Sequence, residues 1–151
     1  MSEKLIFNCT YGREDPERAT LPFVAANIAA TAGQEAVALC TIEGVWLGTE
    51  GGTEGIAQPG LPPLADLYRE FVENGGQVWL CGACTKPRGI TEEQLAKGAT
   101  IVGAAKVVEE VIAGARTIAF AGRKGPPALG RKRRGDVSSP EVQAERQIGF
   151  G

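Results

Sequence analysis

Five short apolar runs dictate what this chain can fold into: KLIFN at Lys4–Asn8, AVALCT at Ala36–Thr41, QVWL at Gln77–Leu80, TIV at Thr100–Val102 and TIAF at Thr117–Phe120. A turn signal and a stretch with helical apolar spacing separate most of them. Short, nearly continuous apolar runs fit strands covered on both faces. Connections long enough to hold a helix carry the chain back to the starting edge, so successive strands run the same way. The alternation predicts an α/β domain with a mostly parallel five-stranded sheet and helices on both faces. The pattern does not fix the strand order.

The connections carry their own signals. Asp15 is placed to cap a helix that opens with Pro16. Leu21, Val24, Ala25, Ile28 and Ala32 follow at helical spacing as the predicted core face, Pro22 bends the start, and Gly33 ends it. Ile42–Leu61 reads as a loop with one helical turn near Val45–Leu47, and its tandem GTEG, Gly48–Gly55, reads as flexible and acidic. Leu64, Leu67, Tyr68, Phe71 and Val72 form one face of a second helix, ended by Asn74-Gly75-Gly76. Thr91 and Gln94 have capping-box spacing for a short helix. A last helix, Ala104–Ala113, is expected to bury Val107, Val108, Val111 and Ile112.

Charge divides the chain in two. Residues 1–120 hold nine Lys/Arg against fifteen Asp/Glu, whereas residues 121–151 hold seven against three. The first part has the apolar content of a packed domain. The second is rich in Gly, Pro and charge and is predicted to be a disordered tail. Its cluster Arg131–Arg134 is read as solvated chain, not as a nucleic-acid contact. No run reaches the roughly 18 apolar residues of a membrane span, and MSEKLIFNCT lacks the layout of a signal peptide. A cytoplasmic protein is expected, with no membrane partner.

The chain has no histidine. That excludes Cys-His nucleophile pairs, Ser-His-Asp triads and His-ligated metals. Chemistry falls instead to the four cysteines. Cys9, Cys40 and Cys81 each close a predicted strand, and Cys84 follows one turn after Cys81. Parallel strands end on one side, so all four belong near the carboxyl edge of the sheet, where open α/β sheets bind ligands. Cys9 and Cys40 read as small buried apolar residues. Cys81 and Cys84 leave their strand on a glycine-containing turn near Lys86 and Arg88, a setting that favours a thiolate. A thioredoxin-like redox pair remains open, although Pro87 and Gly89 prevent the long helix that such a motif normally caps. A four-cysteine metal site lacks the second C-x-x-C knuckle, and neither metal nor cofactor is expected.

These residues resemble a known family. Thr10-Tyr11-Gly12 with Asp15-Pro16-Glu17-Arg18-Ala19, then Pro59-Gly60-Leu61-Pro62-Pro63-Leu64, then Val78-Trp79-Leu80-Cys81 with Arg88-Gly89-Ile90, are similar to the DsrE/DsrF-like sulfur-relay proteins. The subgroup often labelled "predicted peroxiredoxin" is the nearest match. The resemblance runs from about Lys4 to Phe120. It implies a three-layer α/β/α fold and homo-oligomers, commonly trimers or hexamers. Relay subunits of the family carry one cysteine at the end of this strand, eight residues before the glycine of an Arg-Gly-Val/Ile turn. Cys81 stands in that register with Gly89 and is implied to carry sulfur as a persulfide exchanged with a partner thiol. Cys84 departs from the pattern, because a small residue is usual there.

The expected chemistry is nucleophilic sulfur transfer. The Cys81 thiolate takes sulfane sulfur from a persulfidated donor or a thiosulfate-like anion and yields it to a second thiol. Lys86 and Arg88 are the candidate cations for the thiolate or its cargo, and Thr10, Tyr11 and Gly12 the candidate pocket wall. Trp46 either covers the site or fills a subunit interface. Two readings from other classes stand beside the carrier. One is a thiol–disulfide protein using Cys81 and Cys84. The other is a non-catalytic oligomer that binds a small anion.

Overall fold

The computed structural model describes residues 3–120; the tail, with its Arg131–Arg134 cluster, lies outside the described residues. Five parallel strands form one sheet: β1 Lys4–Cys9, β2 Glu35–Cys40, β3 Gln77–Cys81, β4 Ala99–Val102 and β5 Arg116–Ala119. Their spatial order is β4-β3-β2-β1-β5. Helices α1 Pro16–Thr31 and α2 Leu64–Glu73 cover one face. A single turn of helix, α3 Gly82–Thr85, follows β3, and α4 Ala104–Ile112 crosses the other face. The result is the expected three-layer α/β/α architecture.

The core divides along the period-two alternation of the strands. Phe7, Cys9, Ala38, Cys40, Val78 and Leu80 point towards α1 and α2, where they meet Phe23, Leu64, Leu67 and Phe71. Ile6, Val37, Leu39 and Trp79 point the other way, towards α4. Phe23 links the two covering helices, with its ring 5.7 Å from Tyr68 and edge-on to Phe71 at 5.9 Å.

Several local signals act as expected. The Asp15 carboxylate accepts from the Arg18 backbone N–H at 3.1 Å and caps α1. The capping box at Thr91 and Gln94 forms, around a 3-10 turn. Residues Ile42–Gly48 also make a 3-10 segment, centred where the sequence suggested a turn.

Three expectations need correction. The face of α1 that enters the core is Ala19, Phe23, Ala26, Ala29 and Ala30, while Ile28 is 67% exposed. Small side chains let the helix lie close against the sheet; Val24 and Ala25 pack at the margin of the core, and Ile28 is left outside. Helix α4 likewise turns its stripe away: Val108 is 56% and Ile112 81% exposed, and of the three valines and one isoleucine Val107 alone packs on the sheet. Its inner side is held by charge, with Glu110 accepting from Lys4 and Lys106 at 2.8 Å each. Finally, the GTEG repeat is stitched down. Glu50 N–H donates to the Gln94 carbonyl at 2.9 Å, and Ala96 N–H donates to that of Gly48 at 2.8 Å.

Candidate functional site around Cys81

The strand order explains why a cavity opens beside Cys81. The chain must pass from β4 at one edge to β5 at the other, four strand spacings or about 19 Å. A nine-residue helix is only about 13.5 Å long. Helix α4 therefore leaves the back of the sheet uncovered near the carboxyl ends of β2, β3 and β4. There Cys81, on the same side of β3 as Trp79, lines a cavity of about 230 Å³ with Leu39, Thr41, Val102, Gly103, Ala104, Val107 and Val108.

The turn that presents Cys81 is fixed from beneath. Thr85 and Ile90 are buried, and the Ile90 N–H donates to the Thr85 carbonyl at 3.1 Å. Gly89 closes the turn at φ +68°, a left-handed conformation that a β-carbon disfavours. Thr85 Oγ1 donates to the Gly82 carbonyl at 3.2 Å. Gly82, Ala83 and Cys84 begin the helical turn, where backbone N–H groups lack acceptors within the helix.

The four thiols sort into two kinds. Cys9 and Cys40 are register partners across β1 and β2, and both are 0% exposed. The side-chain interaction with Cys9, reinforced by burial, holds the Cys40 thiol well above its usual range. Cys81 and Cys84 are partly exposed, and all four are free. Cys81 opens into the cavity, whereas Cys84 packs against the core on the α1 and α2 side.

The other predicted site residues are distributed around this turn. Arg88 donates from Nε and Nη2 to Glu43 Oε1 at 3.0 and 2.8 Å, and from Nη1 to the Cys84 carbonyl at 3.0 Å. Lys86 is exposed and forms no ion pair with a described residue. Thr10 and Tyr11 are half-buried, and the Arg18 guanidinium lies 5.5 Å from the Tyr11 ring centre. Gly12 is buried, with its N–H between both oxygens of Glu14 at 3.0 and 3.1 Å. A β-carbon there would lie 2.7 Å from the Glu43 carbonyl oxygen, so glycine permits the two loops to touch. Thr10, Tyr11 and Gly12 are not among the residues lining the Cys81 cavity. Trp46 lies at a separate cleft with Arg13, Glu14, Glu43, Thr49 and Gly52.

Three features were invisible in the residue pattern. Glu43 ties the turn after β2 to the turn after β3, a pairing 45 residues apart in sequence. Ile42, just before it, has φ +55°, an outlier for a β-branched side chain. The valines of α4 serve as a cavity wall, which their helical spacing disguises as core. The positive φ of Ile42 is a strained turn at the carboxyl edge, the kind of place where such strain collects around sites.

Comparisons with known proteins agree with this fold. The sequence profile of the DsrE/DsrF-like family matches residues 3–120. The uncharacterised protein MJ0760 of Methanocaldococcus jannaschii is 29% identical over 104 residues, 69% of this chain but 38% of that protein. The uncharacterised protein MK0008 of Methanopyrus kandleri is 31% identical over 94 residues, 62% of this chain and 72% of its own. The chain thus spans well under half the length of the first relative. Among solved structures, the ychN protein of E. coli superposes with a TM-score of 0.63 at 15% identity, covering 78% of this chain and 99% of that one. MTH1491 of Methanobacterium thermoautotrophicum gives 0.61 at 14%, with the same coverages. Both share the fold. No helix among the described residues is long and apolar enough to cross a membrane.

Proposed function

The chain belongs to the DsrE/DsrF-like family, which is linked to sulfur relay, and from that premise we propose that it is a sulfur carrier that holds sulfane sulfur on Cys81. The observation that carries the reading is the contrast among the thiols: Cys81 ends β3 partly exposed at the mouth of a cavity, while Cys9 and Cys40 are sealed in the core. A carrier needs a nucleophile that donor and acceptor can both reach, on a frame that does not move. Transfer proceeds by attack of the Cys81 thiolate on the outer sulfur of a donor, and later by attack of an acceptor thiol on the sulfur bound to Cys81.

In this reading Arg88 is a positioning residue that fixes the Cys84 carbonyl, and hence the turn, through Glu43. Lys86, solvent-facing, is assigned to the thiolate that arrives or leaves at the mouth. The loop Thr10–Gly12, which meets the turn after β2 where Gly12 approaches Glu43, forms the neighbouring surface for a partner thiol protein. The exposed stripe of α4 supports self-association, as a trimer or hexamer, because aliphatic side chains that open to water are stabilised by a second copy. Four free thiols fit a reducing cytoplasm.

A second reading has its own support. Cys81 and Cys84 start and end the first turn after β3, both partly exposed. A persulfide on Cys81 attacked by Cys84 would give a disulfide and release sulfide. One experiment separates the two: protein loaded with an alkyl persulfide is mixed with a small thiol acceptor, and released sulfide is measured beside acceptor persulfide. A carrier delivers the sulfur to the acceptor and regains its free Cys81. A redox pair releases it as sulfide and keeps a Cys81–Cys84 disulfide.

A further inference from the structure

Among the described residues, none that lines the cavity beside Cys81 carries a charged side chain. Leu39, Val102, Ala104, Val107 and Val108 supply aliphatic surface, and Thr41 completes the wall. The cations that sequence spacing brings near are engaged elsewhere or turned to solvent. Arg88 is bound to Glu43 and the Cys84 carbonyl. Lys86 is exposed and is not part of the wall. Lys106, next to Val107 on α4, pairs with Glu110 and lies over the Trp79 ring. An anion entering this space would lose water and meet no counter-charge, which is unfavourable. An alkyl group would lose only its contact with water, which is favourable.

We infer that this cavity receives the organic group of an alkyl persulfide donor, R–S–S–H, so that Cys81 takes sulfur from uncharged organic persulfides in preference to inorganic anions such as thiosulfate. The inference rests on the carrier reading and names its donor class. At about 230 Å³ the space exceeds the roughly 150 Å³ of an apolar protein cavity that binds benzene. It therefore has room for a short alkyl chain. The neutral form of the persulfide is also the one whose outer sulfur is electrophilic. Cys81 Sγ, as the thiolate, forms a bond to that outer sulfur while the RS–SH bond breaks. RS⁻ leaves with the electron pair and takes up the proton that Cys81 gave. One thiol and one persulfide go in, one thiol and one persulfide come out, and no external oxidant takes part.

The test is the loading rate of Cys81, followed by intact mass, with methyl, ethyl and propyl persulfide and with thiosulfate. Each rate is divided by that of glutathione, a thiol with no cavity. Burial of each added methylene predicts an acceleration of about fourfold per step on the protein. Thiosulfate is expected to gain nothing over the glutathione reference. In Ala104→Asp, an exposed wall position at the start of α4 where an acidic side chain suits the helix, the dependence on chain length is expected to flatten. Loading of Cys81 that ignores chain length, or thiosulfate enhanced as much as propyl persulfide, overturns the inference and leaves the carrier standing. Failure of every donor to load Cys81 overturns both.

Discussion

The guanidinium of Arg88 grips the Glu43 carboxylate at 2.8 Å and, with its remaining nitrogen, the carbonyl of Cys84 at 3.0 Å. One side chain thereby locks the turn after β3 to the turn after β2. The ion pair itself is partly exposed, so its net contribution is small, about 0.5–1 kcal/mol. Its geometric role is larger, because a lysine lacks the fork needed to hold both partners.

Arg88→Lys is therefore expected to lower stability by under about 1 kcal/mol in urea unfolding, while alkylation of Cys84 by iodoacetamide accelerates several-fold. An unchanged Cys84 rate in Arg88→Lys contradicts the positioning role.

The sealed thiol pair predicts an alkaline loss of stability. Cys40 keeps its proton in the folded state well above its ordinary value of 9.0, through Cys9 and through burial. The unfolded chain releases that proton near 9.0, so stability is full below this pH and falls as the pH rises past it. Tyr68, also raised, by burial and then by Cys40, adds to the decline above its ordinary 10.0. Melting temperatures across about pH 8 to 11 should fall steeply in the wild type. Cys40→Ala should start lower and decline less steeply.

At the opposite end of the sheet, the sign reverses. Glu110 sits below its ordinary 4.5 because Lys106 and then Lys4 donate to it. Its contribution is present above 4.5 and lost as the pH falls through the depressed value in the folded state. Glu110→Gln should be less stable than wild type at neutral pH, with the gap closing in acid and narrowing in high salt. A gap independent of both would mean that the residue acts through packing alone.

Ile42 at φ +55° offers a stabilising substitution. Glycine adopts that conformation freely, so Ile42→Gly should relieve strain of about 1 kcal/mol and raise the melting temperature. A fall in melting temperature would show that the half-exposed side chain contributes more than its backbone costs.

How much of this was legible depended on the range of the interaction. Strands, caps and the capping box at Thr91 are written locally and appear where the residues put them. Which side of a helix is buried is not local. In α1 the aliphatic stripe competes with an alanine face, and close packing on the sheet decides for the alanines. In α4 the spacing that marked Val108 and Ile112 as core belongs to an exposed stripe, 56% and 81% open to solvent. The position of Cys81 at a strand end was visible, but its cavity depends on a helix too short to cross four strands, which needs the strand order. Glu43 could not be matched to Arg88 without the two turns side by side.

Sulfur bound to Cys81 is the state on which the proposed function rests. Intact mass spectrometry under non-reducing conditions, after exposure to a persulfide donor, tests it on the wild type, Cys81→Ser and Cys84→Ser. One added sulfur is expected in the wild type and in Cys84→Ser, and none in Cys81→Ser. Loss of two hydrogens in the wild type without any sulfur adduct, abolished by either substitution, would contradict it and make the pair a redox switch.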